Sequence, residues 1–175
     1  MQRRPCAGER EDVVNLIECA AYLAVLGAGS FVLGRMIPLR WLNEERFPFH
    51  SFRFEREGSL YDRIGIKRWQ GKLPDMSRIL PGAMPAKKLG ANPASRLPVM
   101  VKETCVAELV HGFLCLAGLY CIALWPGPGG TTVSVLYATG NIPFILAQRY
   151  NRPRLARLGR KRQAALAKRA SEVQA

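Results

Sequence analysis

The sequence predicts an all-α integral membrane protein, with three transmembrane helices, a cytoplasmic interfacial loop and a basic C-terminal helix. The main observation is the distribution of charge: all 26 Lys and Arg residues fall in 1–12, 35–102 and 149–169. None lies in 13–34 or 103–148, the two stretches where the apolar residues concentrate. A cation at the centre of a bilayer costs about 2.5–3.5 kcal/mol, so membrane segments exclude Lys and Arg. A nucleic-acid-binding domain would instead spread its charge over one folded surface, and we therefore expect no nucleic-acid partner.

Three stretches of the chain have the composition of membrane spans. Residues 13–34 are long enough to cross a hydrocarbon core of about 30 Å as a helix, and acidic residues before them argue against a signal peptide. Residues 104–125 form the second predicted span and 131–148 the third. The turn PGPGG at 126–130 separates these two and forbids helix continuation. Gly140 and Pro143 are expected to interrupt the third span.

The basic segments set the predicted orientation. The loop 35–103 and the tail 149–175 are strongly basic, so the positive-inside rule places both in the cytoplasm and the N-terminus outside the plasma membrane. The whole chain, 1–175, is then a single membrane domain. Aromatic and cationic residues mix in the loop, which indicates contact with lipid headgroups.

Parts of the loop and tail carry further patterns. Residues 47–54 alternate apolar and polar side chains, which is compatible with a strand or an interfacial segment. Residues 81–98 are rich in Pro, Gly and Ala and are expected to form a linker. Residues 154–170 are expected to form a basic amphipathic helix with a disordered end.

Polar side chains within the second span are candidates for function, because a buried polar group in lipid is costly unless it is paired or used. Thr104, Glu108, His111 and Cys115 share one face of a helix. Glu108 and His111 lie one turn apart and can form a hydrogen bond. A carboxylate beside an imidazole fixes its tautomer and raises its basicity, as a general base for a hydroxyl requires. The alternative is a polar packing contact between helices.

Further polar groups follow in the third span and at its inner end. Tyr137, Asn141 and Gln148 recur at helical spacing. Arginines in the segment QRYNRPR are placed to bind phosphates through bidentate hydrogen bonds, or else to set topology and contact lipid headgroups. These arginines are Arg149, Arg152 and Arg154. His50 and Glu55 are five residues apart and resemble the His-x4-Asp pair of glycerolipid acyltransferases, with Glu in place of Asp.

Three blocks of the chain resemble the glycosyl-4,4'-diaponeurosporenoate acyltransferase family. They are FRFEREGSLYDRIGIKRWQGKLPD (52–75), ETCVAELVH (103–111) and GNIPFILAQRYNRPRL (140–155), and they occur in the family's order. The resemblance implies a late step in C30 carotenoid synthesis of the staphyloxanthin type, in which the sugar of a glycosylated carotenoid acid is esterified with a fatty acyl group at the membrane.

This implied chemistry suggests a role for each candidate residue. His111, oriented by Glu108, would be the general base, and Asn141 would donate to the developing oxyanion. The acyl donor, for which acyl-CoA is a candidate, would place its phosphates on the three arginines. No cofactor or metal is expected, and membrane lipids and the two substrates are the expected partners. The other predicted substrate-binding residues are Trp69, Glu103, Tyr137, Gln148, Tyr150 and Asn151.

Two other interpretations stay open at this point. A homologue with the same scaffold could act as another membrane lipid or glycolipid transferase. Alternatively, the chain could be a non-catalytic membrane scaffold whose basic loop docks on anionic lipid and on a partner protein. In that case Glu108 and His111 would only pack, and apolar replacements of both would be tolerated.

Overall fold

The computed structural model describes residues 7–74 and 93–174, and within these ranges all regular structure is helical. The predicted all-α class is therefore confirmed. Short 3-10 turns at Leu39–Trp41, Arg53–Gly58, Gln70–Lys72 and Gly118–Tyr120 lie between the α-helices. The described α-helices are α1 (Ala7–Met36), α2 (Ser59–Arg63), α3 (Ile66–Trp69), α4 (Pro93–Ala117), α5 (Cys121–Leu124) and α6 (Pro128–Gln174).

Two stretches of the described residues are long and apolar enough to cross a membrane, as judged by length and composition. They are Gly8–Met36, which contains the first predicted span, and Arg96–Leu124, which contains the second except for Trp125. The third predicted span, 131–148, is helical as part of α6 but does not meet the same criterion. Its Thr, Ser, Asn and Gln residues lower the mean hydropathy of this segment. The count of three spans therefore stays a prediction.

Several predicted boundaries differ from the observed ones. Helix α4 begins at Pro93, inside the predicted linker, whose residues 81–92 lie outside the described part of the chain. Residues 47–54 form turns and the start of a 3-10 helix rather than a strand. Helix α6 continues through Gly140 and Pro143, so the predicted interruption was wrong. An internal proline removes one backbone hydrogen bond and bends a helix without necessarily ending it.

The far end of the chain is also more regular than expected. Helix α6 begins at Pro128, where a missing N–H costs nothing because the first turn has no partner for it. The helix then runs to Gln174, so the tail is helical to its last described residue. The expected disordered end is not found within 154–174.

The chain divides into two compact units, and the first comprises described residues 7–37 and 109–143. Its helices are joined by side chains that donate to backbone carbonyls. Tyr22 Oη donates to the carbonyl of Ala117 at 2.8 Å, and Ser134 Oγ donates to that of Gly118 at 3.0 Å. Many large apolar side chains of this unit are exposed, among them Val25, Leu116 and Leu136. Exposed apolar surface of this extent is typical of a site that contacts another protein or a membrane.

The first turn of α6 tolerates no side chain at Gly130, which provides a test of the first unit. A Cβ there would lie 2.2 Å from the carbonyl oxygen of Trp125 and 2.4 Å from that of Cys121. At Gly140, by contrast, a Cβ would meet nothing within 4 Å. We expect Gly130→Ala to lower stability by about 1–3 kcal/mol through overpacking, and Gly140→Ala to stabilise α6 by up to about 1 kcal/mol. Thermal unfolding in detergent micelles measures both, and equal midpoints for the two variants would contradict this packing.

The second unit comprises described residues 38–74, 93–108 and 144–174. Its apolar core is formed by Tyr61, Ile66 and Tyr150, with Trp69 and Leu146 packed against them. The rings of Tyr61 and Tyr150 meet edge to face at 6.5 Å between centroids. This core fastens α2 and α3 to the middle of α6 and so fixes the residues described next.

Candidate functional site

The side chain of Arg149 lies at the centre of a polar network in the second unit and is only 11% exposed. Its Nε donates to Glu55 Oε1 at 2.6 Å, and its Nη1 donates to Glu108 Oε1. Nη1 also donates to the carbonyl of Pro48 at 3.1 Å, and Nη2 to the carbonyl of His50 at 3.3 Å. Arg149 therefore ties the segment after α1 to α4 and α6.

Arg152, one turn further along α6, is buried and has an equally complete set of acceptors. Its Nε donates to Thr104 Oγ1 at 2.9 Å, and its Nη1 donates to the carbonyl of Phe49 at 2.7 Å. Its Nη2 donates to the carbonyl of Thr104 at 3.1 Å and to Glu108 Oε2. Glu108 thus accepts from both arginines, one at each carboxylate oxygen.

The second carboxylate of this network, Glu55, is 3% exposed and accepts from three sides. Tyr61 Oη donates to Oε1 at 2.6 Å and the backbone N–H of Phe52 donates to Oε2 at 2.9 Å, in addition to Arg149. Burial alone would raise the pKa of the Glu55 carboxyl, but the hydrogen bonds from Arg149, Tyr61 and Phe52 hold it below its ordinary value. Burial and the Glu55 carboxylate raise the pKa of Tyr61. Glu55 is therefore an anion and Tyr61 a neutral phenol at neutral pH.

We call Glu55, Glu108, Arg149 and Arg152 the arginine–carboxylate cluster. Its two positive and two negative charges balance. Every guanidinium group in it already donates to protein acceptors, so phosphate binding by Arg149 and Arg152 would require breaking these contacts. That predicted role stays a prediction, and the contacts favour a structural role for both. The described hydrogen bonds of the Glu55 carboxylate are with Arg149, Tyr61 and Phe52, so its pairing with His50 stays a prediction.

Arg154, the third predicted phosphate ligand, is partnered outside the cluster. Its Nη2 donates to Asp62 Oδ2 at 2.7 Å, and its guanidinium lies over the ring of Tyr150 at 3.5 Å from the centroid. Lys67 Nζ lies 3.2 Å from the other oxygen of Asp62, and Tyr150 Oη donates to that oxygen at 3.2 Å. Tyr61 and Asp62 were not among the predicted site residues, and Glu55 was considered only as a partner of His50. Acidic side chains in so basic a loop are a signal that could have marked Glu55 and Asp62.

The depressed pKa of Glu55 predicts the response of the second unit to acid. At a pH just below 4.5, the ordinary pKa of a glutamate, the Glu55 carboxyl binds a proton in the unfolded chain but stays ionised in the folded chain. The stabilisation from Glu55 is therefore present above that pH and is lost as the pH falls through the folded pKa. We expect the unfolding free energy of the wild type to decrease more steeply between pH 5 and 3 than that of Glu55→Gln, as measured by denaturant titration in micelles. Parallel curves for the two proteins would contradict an ionised Glu55 in the folded state.

In the first unit, His111 is paired with Asn141. His111 Nδ1 and Asn141 Oδ1 lie 2.8 Å apart, and Asn141 Nδ2 donates to the carbonyl of Tyr137 at 2.9 Å. Because the carbonyl of Tyr137 can only accept, it fixes which end of the amide is the N–H₂ group. Asn141 Oδ1 therefore accepts from His111 Nδ1–H, which leaves the lone pair of a neutral imidazole on Nε2. Asn141 is thus a positioning residue for His111.

This geometry refines two of the predicted roles. The Glu108 carboxylate contacts Arg149 and Arg152. His111 Nδ1 contacts Asn141 Oδ1. Orientation of His111 by Glu108 stays a prediction, as does donation by the second N–H of Asn141 to an oxyanion. Across the described ranges, no group of three or more His, Cys, Asp or Glu is placed to hold a metal ion.

The second unit also has a cleft of about 270 Å³ between α4 and α6. Four predicted substrate-binding residues line it together with Thr104: Glu103, Gln148, Asn151 and Arg154. Its other wall is apolar and is formed by Met100, Leu155 and Leu158. The predicted binding residues Trp69 and Tyr150 do not line this cleft, because they pack in the core of the second unit.

Comparison with known proteins agrees with the resemblance in the sequence. Residues 40–161 match the profile of a family described as glycosyl-4,4'-diaponeurosporenoate acyltransferase. Two relatives from Staphylococcus aureus, strains MRSA252 and Newman, carry the same name. Each is 29% identical over 143 residues, which cover 80% of this chain and 85% of the relative. No solved structure matches the chain.

Proposed function

Since this chain belongs to the glycosyl-4,4'-diaponeurosporenoate acyltransferase family, and is therefore an acyltransferase of carotenoid biosynthesis, we propose that it esterifies a sugar hydroxyl of a glycosylated C30 carotenoid acid with a fatty acyl group. The observation that carries the proposal is the family match over 40–161. That range contains the arginine–carboxylate cluster, the cleft and the His111–Asn141 pair.

The membrane setting is part of the proposal. Only 11% of the apolar stretch in α1 and 22% of the second apolar stretch are buried, whereas the core helix of a soluble protein is mostly covered. We place 131–148 in the membrane as a third span, because the turn before it is uncharged and the segment after it is basic. The loop and tail then face the cytoplasm and the N-terminus lies outside the plasma membrane. Membrane lipids are the immediate partners.

The number of spans can be tested by labelling. We expect a reactive tag at Gly127 to be labelled by an impermeant reagent from outside intact cells, and a tag after Gln174 to be labelled only after the cells are opened. One predicted span, 131–148, separates these two positions, so they lie on opposite sides only if 131–148 crosses the membrane. Labelling of both positions from the same side would show that 131–148 does not cross the membrane.

The proposed reaction assigns a step to each group of the His111–Asn141 pair. His111 Nε2 takes the proton of the sugar hydroxyl as its oxygen attacks the carbonyl carbon of an acyl thioester, for which acyl-CoA is the proposed donor. A C–O bond forms and the C–S bond breaks. The imidazolium returns the proton to the leaving thiolate. Asn141 Oδ1 accepts from His111 Nδ1–H and so holds the imidazole ring in one orientation.

A reconstituted assay tests the proposed activity. Purified protein in lipid nanodiscs is incubated with glycosyl-4,4'-diaponeurosporenoate and acyl-CoA, and products are identified by mass spectrometry. We expect the acceptor to gain one acyl group. As the control, an acceptor whose primary sugar hydroxyl is replaced by hydrogen should stay unmodified. An unmodified natural acceptor, with the protein folded in the nanodisc, would exclude this acceptor and redirect the search to other membrane glycolipids.

A further inference from the structure

We propose that the cleft lined by Glu103, Gln148 and Asn151 binds the sugar of the acceptor rather than the acyl donor. This inference rests on the proposed function, since it assigns a binding site for one of the two substrates. Three features of the cleft carry it: its hydrogen-bonding groups, its charge and its size.

The polar side chains of the cleft are available to a ligand. Glu103, Gln148 and Asn151 are half-buried, and among residues 7–74 and 93–174 the structure gives them neither a hydrogen bond nor an ion pair. Each amide offers a carbonyl acceptor and an N–H₂ donor, and the carboxylate accepts only. A sugar hydroxyl both donates and accepts, so this mixed set suits neighbouring hydroxyl groups. Half-buried polar groups without partners favour a ligand that supplies the missing hydrogen bonds.

The charge of the cleft argues against the acyl donor. Among the described residues that line it, the one cation is Arg154, which is already neutralised by Asp62 at 2.7 Å, and Glu103 adds a negative charge. The phosphates of an acyl-CoA would need an excess of cations. A sugar carries no charge and meets no such requirement.

The size and the apolar wall of the cleft also favour a sugar as its ligand. Its volume of about 270 Å³ lies just below the range of roughly 300–1,000 Å³ that is typical for drug-sized ligands, so it suits one monosaccharide better than a nucleotide. Met100, Leu155 and Leu158 form a surface for the C–H face of the sugar ring or for the first atoms of the carotenoid chain.

Two substitutions test the assignment in the full-length protein in nanodiscs. We expect Gln148→Ala and Asn151→Ala each to raise the KM for the glycosylated acceptor about tenfold, the effect of one lost hydrogen bond. The kcat and the KM for acyl-CoA should stay within about twofold of the wild type. Gln163→Ala is the matched control, because Gln163 is an exposed glutamine on the same helix α6 outside the cleft. Thermal midpoints close to that of the wild type show that the variants are folded.

A binding measurement separates this inference from the proposed activity. Octyl glucoside, as a probe for a glycoside head, is titrated by calorimetry at concentrations below its micelle formation. The cleft assignment predicts a weaker Kd for Gln148→Ala and Asn151→Ala than for the wild type and Gln163→Ala, whether or not turnover is observed. Equal Kd values for all four proteins, or a rise in the KM for acyl-CoA alone, would overturn it. An inactive wild type with cleft-dependent glucoside binding would reject the acyl transfer and keep the sugar site.

Discussion

Replacing Glu108 with leucine is expected to prevent stable folding of the second unit. The substitution leaves the Arg152 guanidinium without its carboxylate partner, and it leaves Arg149 with Glu55 as its one remaining carboxylate among the described residues. Removing one partner of a buried ion pair costs about 3–5 kcal/mol, because the remaining charge stays buried without compensation. That cost is comparable to the lower end of the stability of a whole domain, about 5–15 kcal/mol. Here a single carboxylate contacts two arginines. We therefore expect a loss of stability of about 5 kcal/mol, the upper end of the range for one buried ion pair.

Controls for this prediction come from the same helix. Glu103→Leu removes a carboxylate from α4 that has no ion pair among the described residues, and it should change the unfolding midpoint little. Glu108→Gln keeps the shape and one acceptor and should fall between the wild type and Glu108→Leu. The midpoint and the folded yield in micelles are the measurements. A Glu108→Leu protein that unfolds at the wild-type temperature would show that the cluster does not hold the unit together.

Replacing His111 with alanine is expected to lower kcat by about 10²–10⁴-fold, the contribution of a positioned general base. Folding should be little affected, because the side chain is only half-buried in the first unit. The Asn141 contact makes a graded prediction. Asn141→Asp keeps an oxygen acceptor for His111 Nδ1–H and should keep more activity than Asn141→Leu, which removes the acceptor.

The measurement for this series is the initial rate of acyl transfer at saturating acceptor, normalised to folded protein. The kcat of the folded protein separates a catalytic from a packing role, because a group that only packs would alter stability without lowering kcat. Equal rates for Asn141→Leu and the wild type would contradict the positioning role. A His111→Ala rate within a few fold of the wild type would remove His111 from the chemistry.

The sequence predicted the first two apolar helices because a strong local rule governs them: cations are excluded from lipid over the full length of a span. The start of α4 at Pro93 was missed because the helix continues beyond the apolar residues. There it is stabilised by the second unit, where Thr104 accepts from Arg152 across 48 residues of sequence. The local pattern of residue types gives no information on contacts between residues so far apart in sequence. The uninterrupted α6 was missed because Gly140 and Pro143 are weak helix formers, yet the helix continues through both.

Only part of the candidate site was predicted, because several of its contacts join residues that are distant in sequence. His111 and Asn141 were identified because polar groups in an apolar span are rare, but their pairing joins residues 30 apart in sequence. The local partner Glu108 was therefore favoured. The positive charge of the segment QRYNRPR was evident, yet its neutralisation by Glu55 depends on a contact between residues 94 apart. Charge counting locates such groups and gives no information on their partners.

The most direct test of the account is the mass of the pigment made in living cells. Cells that produce glycosyl-4,4'-diaponeurosporenoate but lack an acyltransferase would express either this chain or its His111→Ala variant, and extracted pigments would be compared by mass spectrometry. The account predicts a pigment heavier by one acyl group with the wild type and almost none with the variant. An unchanged pigment with the wild-type protein folded in the membrane would contradict the proposed acyl transfer to this acceptor.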